Sequence, residues 1–374
     1  MTGKERWVFV SDLHLGSAVE HPDALDALAE LVSTMIEYAG ERHLVLLGDT
    51  MELDGLDGLD GLDGLDGLGE AGNQVDDRVA LAQLASYRTH RPGLFESLGA
   101  ALAGGIELHV VCGNHDVALV RPTVAAAFAD AVRSTADPTG GTTGRRLSVH
   151  PWLLRRAEWL YAEHGHLHHD LNRIPGQLEL TRDRPRLAVG RSPLAAWSAG
   201  SGSGLSRLVD VRRAMVATRR AERYAAGADH ADLIASVGDE TGLGAALAGE
   251  LFRVSAFHPA QALSKAAWRV ARRRTGRDGP DYLATAARRV HELLLSAGYP
   301  AAVYAFGHTH RPVVAPVGRG GGVYANTGTW SLARAGDGAA FPYLDVTVSA
   351  IGVPTVKVRG VGEWAEKSAL VPGS

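Results

Sequence analysis

Five apolar stretches, spread along most of the chain, each run directly into a short polar motif, and this repetition limits the fold more than any other feature. Trp7-Val8-Phe9-Val10 leads into Asp12-Leu13-His14, His43-Leu44-Val45-Leu46-Leu47 into Gly48-Asp49, and Leu108-His109-Val110-Val111 into Gly113-Asn114-His115-Asp116. Further on, Trp159-Leu160-Tyr161-Ala162-Glu163 leads into His164-Gly165-His166, and Ala301-Ala302-Val303-Tyr304-Ala305-Phe306 into Gly307-His308-Thr309-His310. Short, nearly continuous apolar runs are the mark of strands buried on both faces. Helical patterns separate the first three: residues 22–38 carry Leu25, Leu28, Val32 and Met35 on one stripe, and residues 76–103 are again mainly helical. Strand alternating with helix implies a substantially parallel sheet, whose loops at the carboxyl ends of the strands gather on one edge. Asp12, Asp49 and Asn114 each fall just past a strand, so distant positions can converge there.

Two segments interrupt this pattern. Asp54-Gly55-Leu56 is repeated five times, ending at Leu68. Glycine at every third position opposes order and proline is absent, so residues 54–69 read as a flexible acidic loop near the rim of that edge. Residues 171–298 are rich in Ala and Arg, with Gly200-Ser201-Gly202-Ser203-Gly204 as a hinge-like break. Helices are expected over 205–226, 259–274 and 280–297, the last two opening with Pro in the first turn. This stretch reads as a helical cap inserted into a core made of 1–170 and 299–368. The runs 343–348 and 355–358 are expected to complete a second sheet, and 369–374 to form a frayed tail.

Composition sets the outer bounds. At 374 residues and 45% hydrophobic the chain can bury a large core, as one enlarged domain or a core with an insertion. The net charge of −4 is unevenly spread: residues 170–300 hold 20 Lys and Arg against 13 Asp and Glu, so a basic insertion sits on an acidic core. The start passes into a strand rather than a long apolar leader, and no apolar run reaches the ~18 residues of a membrane span, so a soluble cytoplasmic protein is expected. The single cysteine, Cys112, cannot form an internal disulfide and reads as a buried structural thiol.

The motif residues are hard and borderline metal ligands. Asp12 and His14 are two apart, as are His308 and His310, so in extended backbone each pair would project to one side. Asp49 carries two oxygens able to bridge two ions, and Asn114 adds a neutral amide oxygen. In His164-Gly165-His166 either imidazole could be a ligand; His164 is preferred by its place at the strand end, with His166 left as a phosphate contact or an outer partner. His168 and His169 are expected to be exposed at the cap entrance.

In order and content these motifs resemble the calcineurin-like metallophosphoesterases, over about residues 1–170 and 299–350. That resemblance implies an α/β fold with a two-sheet β-sandwich flanked by helices, carrying an inserted α-helical cap. It also implies two divalent metal ions, one held by Asp12, His14, Asp49 and His310, the other by Asp49, Asn114, His164 and His308. Manganese is the expected metal, with iron and zinc as alternatives. Two such ions against two aspartates leave a surplus of about +2 to acidify a bridging water and to hold phosphate oxygens. The implied reaction is in-line attack of metal-bridging hydroxide on phosphorus. His115 corresponds to the family's leaving-group proton donor, with Asp116 orienting it, and His166, Asn114 and Arg311 face the substrate.

Within that family the motifs point in two directions. Gly48-Asp49-Thr50-Met51-Glu52, Gly307-His308-Thr309-His310-Arg311-Pro312 and Asn326-Thr327-Gly328-Thr329-Trp330 look similar to UDP-2,3-diacylglucosamine hydrolases. Gly113-Asn114-His115-Asp116 instead is the form usual in phosphodiesterases acting on nucleotides. The Asp-Arg-Gly of protein serine/threonine phosphatases is absent, which leaves that activity as an alternative beside a non-catalytic phospho-ligand-binding role. The expected substrate is a phosphorylated small molecule, a nucleotide-type phosphodiester or pyrophosphate. The basic cap, with Arg272-Arg273-Arg274 beside Trp268, could also meet nucleic acid or a membrane surface, although no nucleic-acid-binding module is visible.

Overall fold

The computed structural model describes residues 5–53, 76–136, 147–156, 159–169, 172–174, 177, 181, 281–296, 298–318, 321–332, 341–361 and 367–370. The Asp-Gly-Leu repeat, the Arg272-Arg273-Arg274 run and the expected helices at 205–226 and 259–274 lie outside the described residues.

Strand β1 (Glu5–Val10) pairs in parallel with β2 (Glu41–Leu47), β2 with β3 (Glu107–Val111), and β3 with β4 (Leu147–His150). The links between them run through α1 (Ala24–Ile36), then α2 (Asp77–His90) and α3 (Pro92–Ala103), then α4 (Pro122–Ala136). Asp76 caps α2 by accepting the Arg78 N–H, and Pro92 starts α3 one residue after Arg91, so the pattern over 76–103 is two helices rather than one.

A second sheet holds β6 (Leu160–Glu163), β7 (Val303–Phe306) and β9 (Gly322–Asn326) in parallel, edged by antiparallel β5 (Leu153–Arg156) and β8 (Val313–Val317). The expectation that the last strands finish this sheet is corrected. β10 (Pro342–Val348) pairs antiparallel with β1, β11 (Pro354–Gly360) with β10, and β12 (Lys367–Leu370) with β11, all in the first sheet. Arg6 ties the junction by a two-point ion pair to Asp345 at 2.9 and 3.1 Å. Ala369 and Leu370, expected to open a frayed tail, pair with Val356 and Thr355 in a strand, and residues 371–374 lie outside the described residues.

Period-two alternation sorts each central strand onto two cores. Val8 and Val10 face α1 and α3 with Leu28, Leu44, Leu46 and Leu98, whereas Trp7 and Phe9 face the second sheet with Val45, Leu47, Ala305 and Val323. A third core lies outside the second sheet, where α5 (Tyr282–Ser296) buries Leu283, Ala287, Val290 and Leu294 against Tyr304, Phe306 and Tyr324. This helix, expected as the last piece of the cap, packs on the core. The result is helices, sheet, sheet, helix, with the carboxyl ends of β1, β2, β3, β6 and β7 delivering the five motifs. Among the described residues no helix is long and apolar enough to cross a membrane.

Candidate metal centre

The loops after β1 and β2 are laced together before any ligand is considered. Asp12 N–H donates to Gly48 O at 3.1 Å, His14 N–H to Asp49 O at 3.0 Å and Leu15 N–H to Thr50 O at 3.1 Å. Leu13 and Leu15 are fully buried in the helix-side core, which turns Asp12 and His14 the other way. The pairs do not lie in extended backbone as the spacing suggested. Asp12, His14, Asp49, His308 and His310 all have positive φ, between 50° and 65°. Each chain segment must leave its strand and fold back over the sheet edge within two or three residues, and a left-handed step at each ligand does this.

Two trios of ligand atoms result, Asp12 with His14 and His310, and Asp49 with His164 and His308, each with its atoms within 4.8 Å of one another. Both aspartates divide their oxygens between scaffold and site. Asp12 Oδ2 accepts the His308 N–H at 3.0 Å and the Ser11 hydroxyl, while Oδ1 lies 3.1 Å from His310 Nε2. Asp49 Oδ1 accepts the His115 N–H at 2.9 Å, while Oδ2 lies 3.0 Å from His164 Nε2 and 3.9 Å from His14 Nε2, between the trios.

The imidazoles are aimed by partners behind them. His164 Nδ1–H donates to Leu47 O at 2.8 Å, which frees Nε2. Asn172 holds His308 Nε2 at 2.7 Å, and Nδ1 turns to His164 Nε2 at 3.2 Å. His166 lies in neither trio: its Nε2–H donates to Gln177 Oε1 at 2.6 Å. The expectation for His168 and His169 is corrected, because His168 Nε2 pairs with the buried carboxylate of Glu163 at 2.5 Å and His169 is buried against the rings of Tyr282 and His308. Arg311 follows His310 at half-buried depth.

His115 and Asp116 do not form the pair expected of them. Asp116 is fully buried and its oxygens accept the backbone N–H groups of Gly113 at 2.6 Å and Thr50 at 2.9 Å, so it clamps the β2 and β3 loops. His115 Nδ1 is held at 2.6 Å by Glu52 Oε2, whose other oxygen lies 2.9 Å from His14 Nδ1. Glu52 is the residue that sequence reasoning overlooked, although it stands three positions after Asp49.

Electrostatics at this edge favour cations. Burial opposes ionisation of Asp49, but His164 and His115 outweigh it and hold the carboxyl well below its usual range. Burial likewise opposes charge on Asp12, and His310 with His164 brings it below the ordinary value. The converse pull raises His164 to about 9 and His115 to about 10 against desolvation, chiefly through Asp49. Carboxylates that draw protons onto neighbouring imidazoles would draw a divalent cation equally.

The donor set fits such ions. Asn114 Oδ1 is buried without a hydrogen-bond partner, Asp12 Oδ1 faces His310 Nε2, and His14 Nε2 and His310 Nε2 stand 3.3 Å apart. Ligand atoms about 2.1 Å from one ion lie about 3.0–3.4 Å from each other, so these ring nitrogens are spaced as co-ligands. Oxygen and imidazole donors together suit manganese, iron or zinc.

No family model matches the chain, and no curated protein sequence matches it. Among solved structures it is similar to a predicted phosphoesterase from Streptococcus pneumoniae TIGR4, at 11% identity and TM-score 0.31, covering 99% of this chain and 100% of that one. A putative 5′-nucleotidase from Staphylococcus aureus gives 10% identity and TM-score 0.33, covering 97% of this chain and 55% of that one. Phosphopantetheinyl hydrolase from Mycobacterium tuberculosis gives 12% and 0.29, covering 88% and 91%.

Proposed function

We propose that the chain is a metal-dependent phosphoester hydrolase acting on a nucleotide-type phosphodiester or pyrophosphate. The observation that carries this is the pair of His/Asp trios with Asp49 Oδ2 between them and His115 at their margin. Two divalent ions held by Asp12, His14, Asp49 and His310 and by Asp49, Asn114, His164 and His308 would supply positive charge to phosphoryl oxygens and acidify the attacking water. The scaffold oxygens on Asp12 and Asp49 fix both carboxylates, so neither needs to reorganise during the reaction.

His115 supplies the proton in this reading. Glu52 accepts its Nδ1–H, which leaves Nε2 to face the open side; the side chain is 42% exposed while His164 is fully enclosed. Desolvation opposes the charged ring, but Asp49 and Glu52 hold its pKa at about 10 before any metal binds. A protonated imidazole suits an alkoxide or phosphate leaving group. Its charge also balances Glu52, a third carboxylate at the site. Arg311 and His166 remain the proposed substrate contacts.

The test is hydrolysis by purified protein with added manganese across aryl phosphate, aryl phosphodiester, UDP-sugars, cyclic nucleotides and single-stranded DNA. Diesters or pyrophosphates should be cleaved fastest, and Asp49→Ala and His310→Ala should each lose at least ~100-fold. Cleavage confined to phosphoserine peptides would show a protein phosphatase. Metal binding with no turnover on any substrate would show a phospho-ligand-binding protein.

A further inference from the structure

A second set of metal-ligating side chains lies on the strands of the first sheet, outside both trios. Trp7, His43, His109 and His150, contributed by β1, β2, β3 and β4, form a ladder in the layer between the sheets. Trp7 stacks on His43 with ring centres 3.7 Å apart and planes at 8°, and His43, His109 and His150 follow at 5.5 Å each. Arg156 covers the outer face of Trp7 at 5.2 Å. Two residues further along, the same layer is filled by Phe9, Val45 and Val111. Apolar side chains would complete the packing without desolvating three imidazoles.

We propose that His43 Nδ1, His109 Nε2 and Glu107 Oε2 bind a zinc-class divalent ion that fastens β2 to β3. These three atoms lie within 4.8 Å of one another. His43 Nδ1 is 3.3 Å from His109 Nε2 and 3.6 Å from Glu107 Oε2. Tetrahedral zinc with bonds of about 2.0–2.1 Å sets its ligand atoms about 3.3–3.5 Å apart. A direct N–H···N bond at 3.3 Å would be long, and His43 Nε2 still has no hydrogen-bond partner, so ring pairing alone compensates the burial poorly.

The surroundings agree with an ion there. His109 Nδ1 meets His150 Nε2 at 3.3 Å, the outer partner that fixes a ligating imidazole's tautomer. Burial keeps His43, His109 and His150 neutral, with pKa values near 3, 2 and 4, so ligation displaces no proton from them. Glu5 and Glu41 bring two more carboxylates within 4.8 Å of a His43 ring nitrogen. Glu107 is 35% exposed, so its carboxylate reaches solvent. Two imidazoles and one carboxylate favour zinc over magnesium or calcium.

The experiment is zinc content, measured by mass spectrometry after dialysis against limiting Zn2+, for the full chain and for His109→Phe and Glu107→Gln. Each variant should hold about one zinc fewer than the parent and lose the zinc-dependent rise in melting temperature. Glu107→Gln alters a partly exposed side chain and leaves the stacked rings in place, so it reports even if His109→Phe does not fold. Phosphoesterase turnover should persist in Glu107→Gln, which separates this site from the proposed active site. Equal zinc content in the parent and Glu107→Gln would overturn the proposal.

Discussion

Glu52 and His115, sixty-three residues apart, meet at 2.6 Å across the loops that follow β2 and β3, and the same carboxylate reaches His14 at 2.9 Å. One side chain therefore touches both a proposed ligand and the proposed proton donor. Burial opposes its charge, but His115 and His14 hold its pKa below the usual carboxylate value. It aligns two imidazoles by their Nδ1 atoms and leaves both Nε2 atoms to the chemistry.

Glu52→Gln should lower turnover about 10–100-fold, the range for losing the outer partner of a working imidazole. The loss should be larger with an alkyl leaving group than with nitrophenolate, because only the former needs a proton. Rates for a series of leaving groups check this. An equal loss across the series would mean that Glu52 serves His14 alone.

Asp116→Asn should act on stability instead. One of its two carboxylate acceptors becomes an amide donor facing a backbone N–H, which costs about 1–3 kcal/mol in a buried site. Urea unfolding reads this. The leaving-group dependence should match that of the parent, and a selective loss on poor leaving groups would restore the orienting role to Asp116.

Two glycines test how tightly the loops are fitted. A Cβ at Gly113 would meet Asp49 Oδ1 at 2.2 Å and Asp49 N at 2.5 Å, and one at Gly48 would meet His164 Nδ1 at 2.4 Å on a backbone with φ of 85°. Gly113→Ala and Gly48→Ala should each reduce activity and bound metal at least ~100-fold. Gly352, with φ of 80° and nothing within 4 Å, is the control; Gly352→Ala should cost only ~1 kcal/mol of stability and no activity. Metal content and kcat/KM measured together decide between displaced ligands and general unfolding.

The histidine ladder gives a pH signature in metal-free protein. Folded pKa values near 3, 2 and 4 lie below the unfolded value of about 6.5, so acid protonates the unfolded chain first. Their contribution is intact above pH ~6.5 and is lost as pH falls through ~4. Thermal melts with chelator present, from pH 7 to 4, should show this fall, and His109→Phe should flatten it. Glu107, Glu5, Glu41 and Arg156 stand around the ladder, and the parent-minus-variant difference removes their shared share.

The central strands were legible because burial on both faces leaves continuous apolar runs, as in Trp7-Val8-Phe9-Val10. The residues of the two trios were legible because they follow such strands directly. β10 was misplaced because nothing local marks that Asp345 will pair with Arg6 rather than continue the sheet of β9. His168 and His169 read as polar and exposed, yet the buried carboxylate of Glu163 and the ring of Tyr282 receive them. Asn172 and Gln177 gave no signal, since they hold His308 and His166 from behind and follow no strand. Glu52 could have been found: it lies within Gly48-Asp49-Thr50-Met51-Glu52, and a third carboxylate beside Asp12 and Asp49 needs a cationic partner.

Five left-handed residues set the proposed metal ligands against the chain's own backbone preference. Asp12, His14, Asp49, His308 and His310 occupy a conformation costing non-glycine residues about 1–2 kcal/mol each. Selection for stability alone would favour glycine or asparagine at all five positions. If the proposed activity holds, a lineage released from it should drift towards those residues first, gaining robustness, and retention of aspartate and histidine there would record continued use.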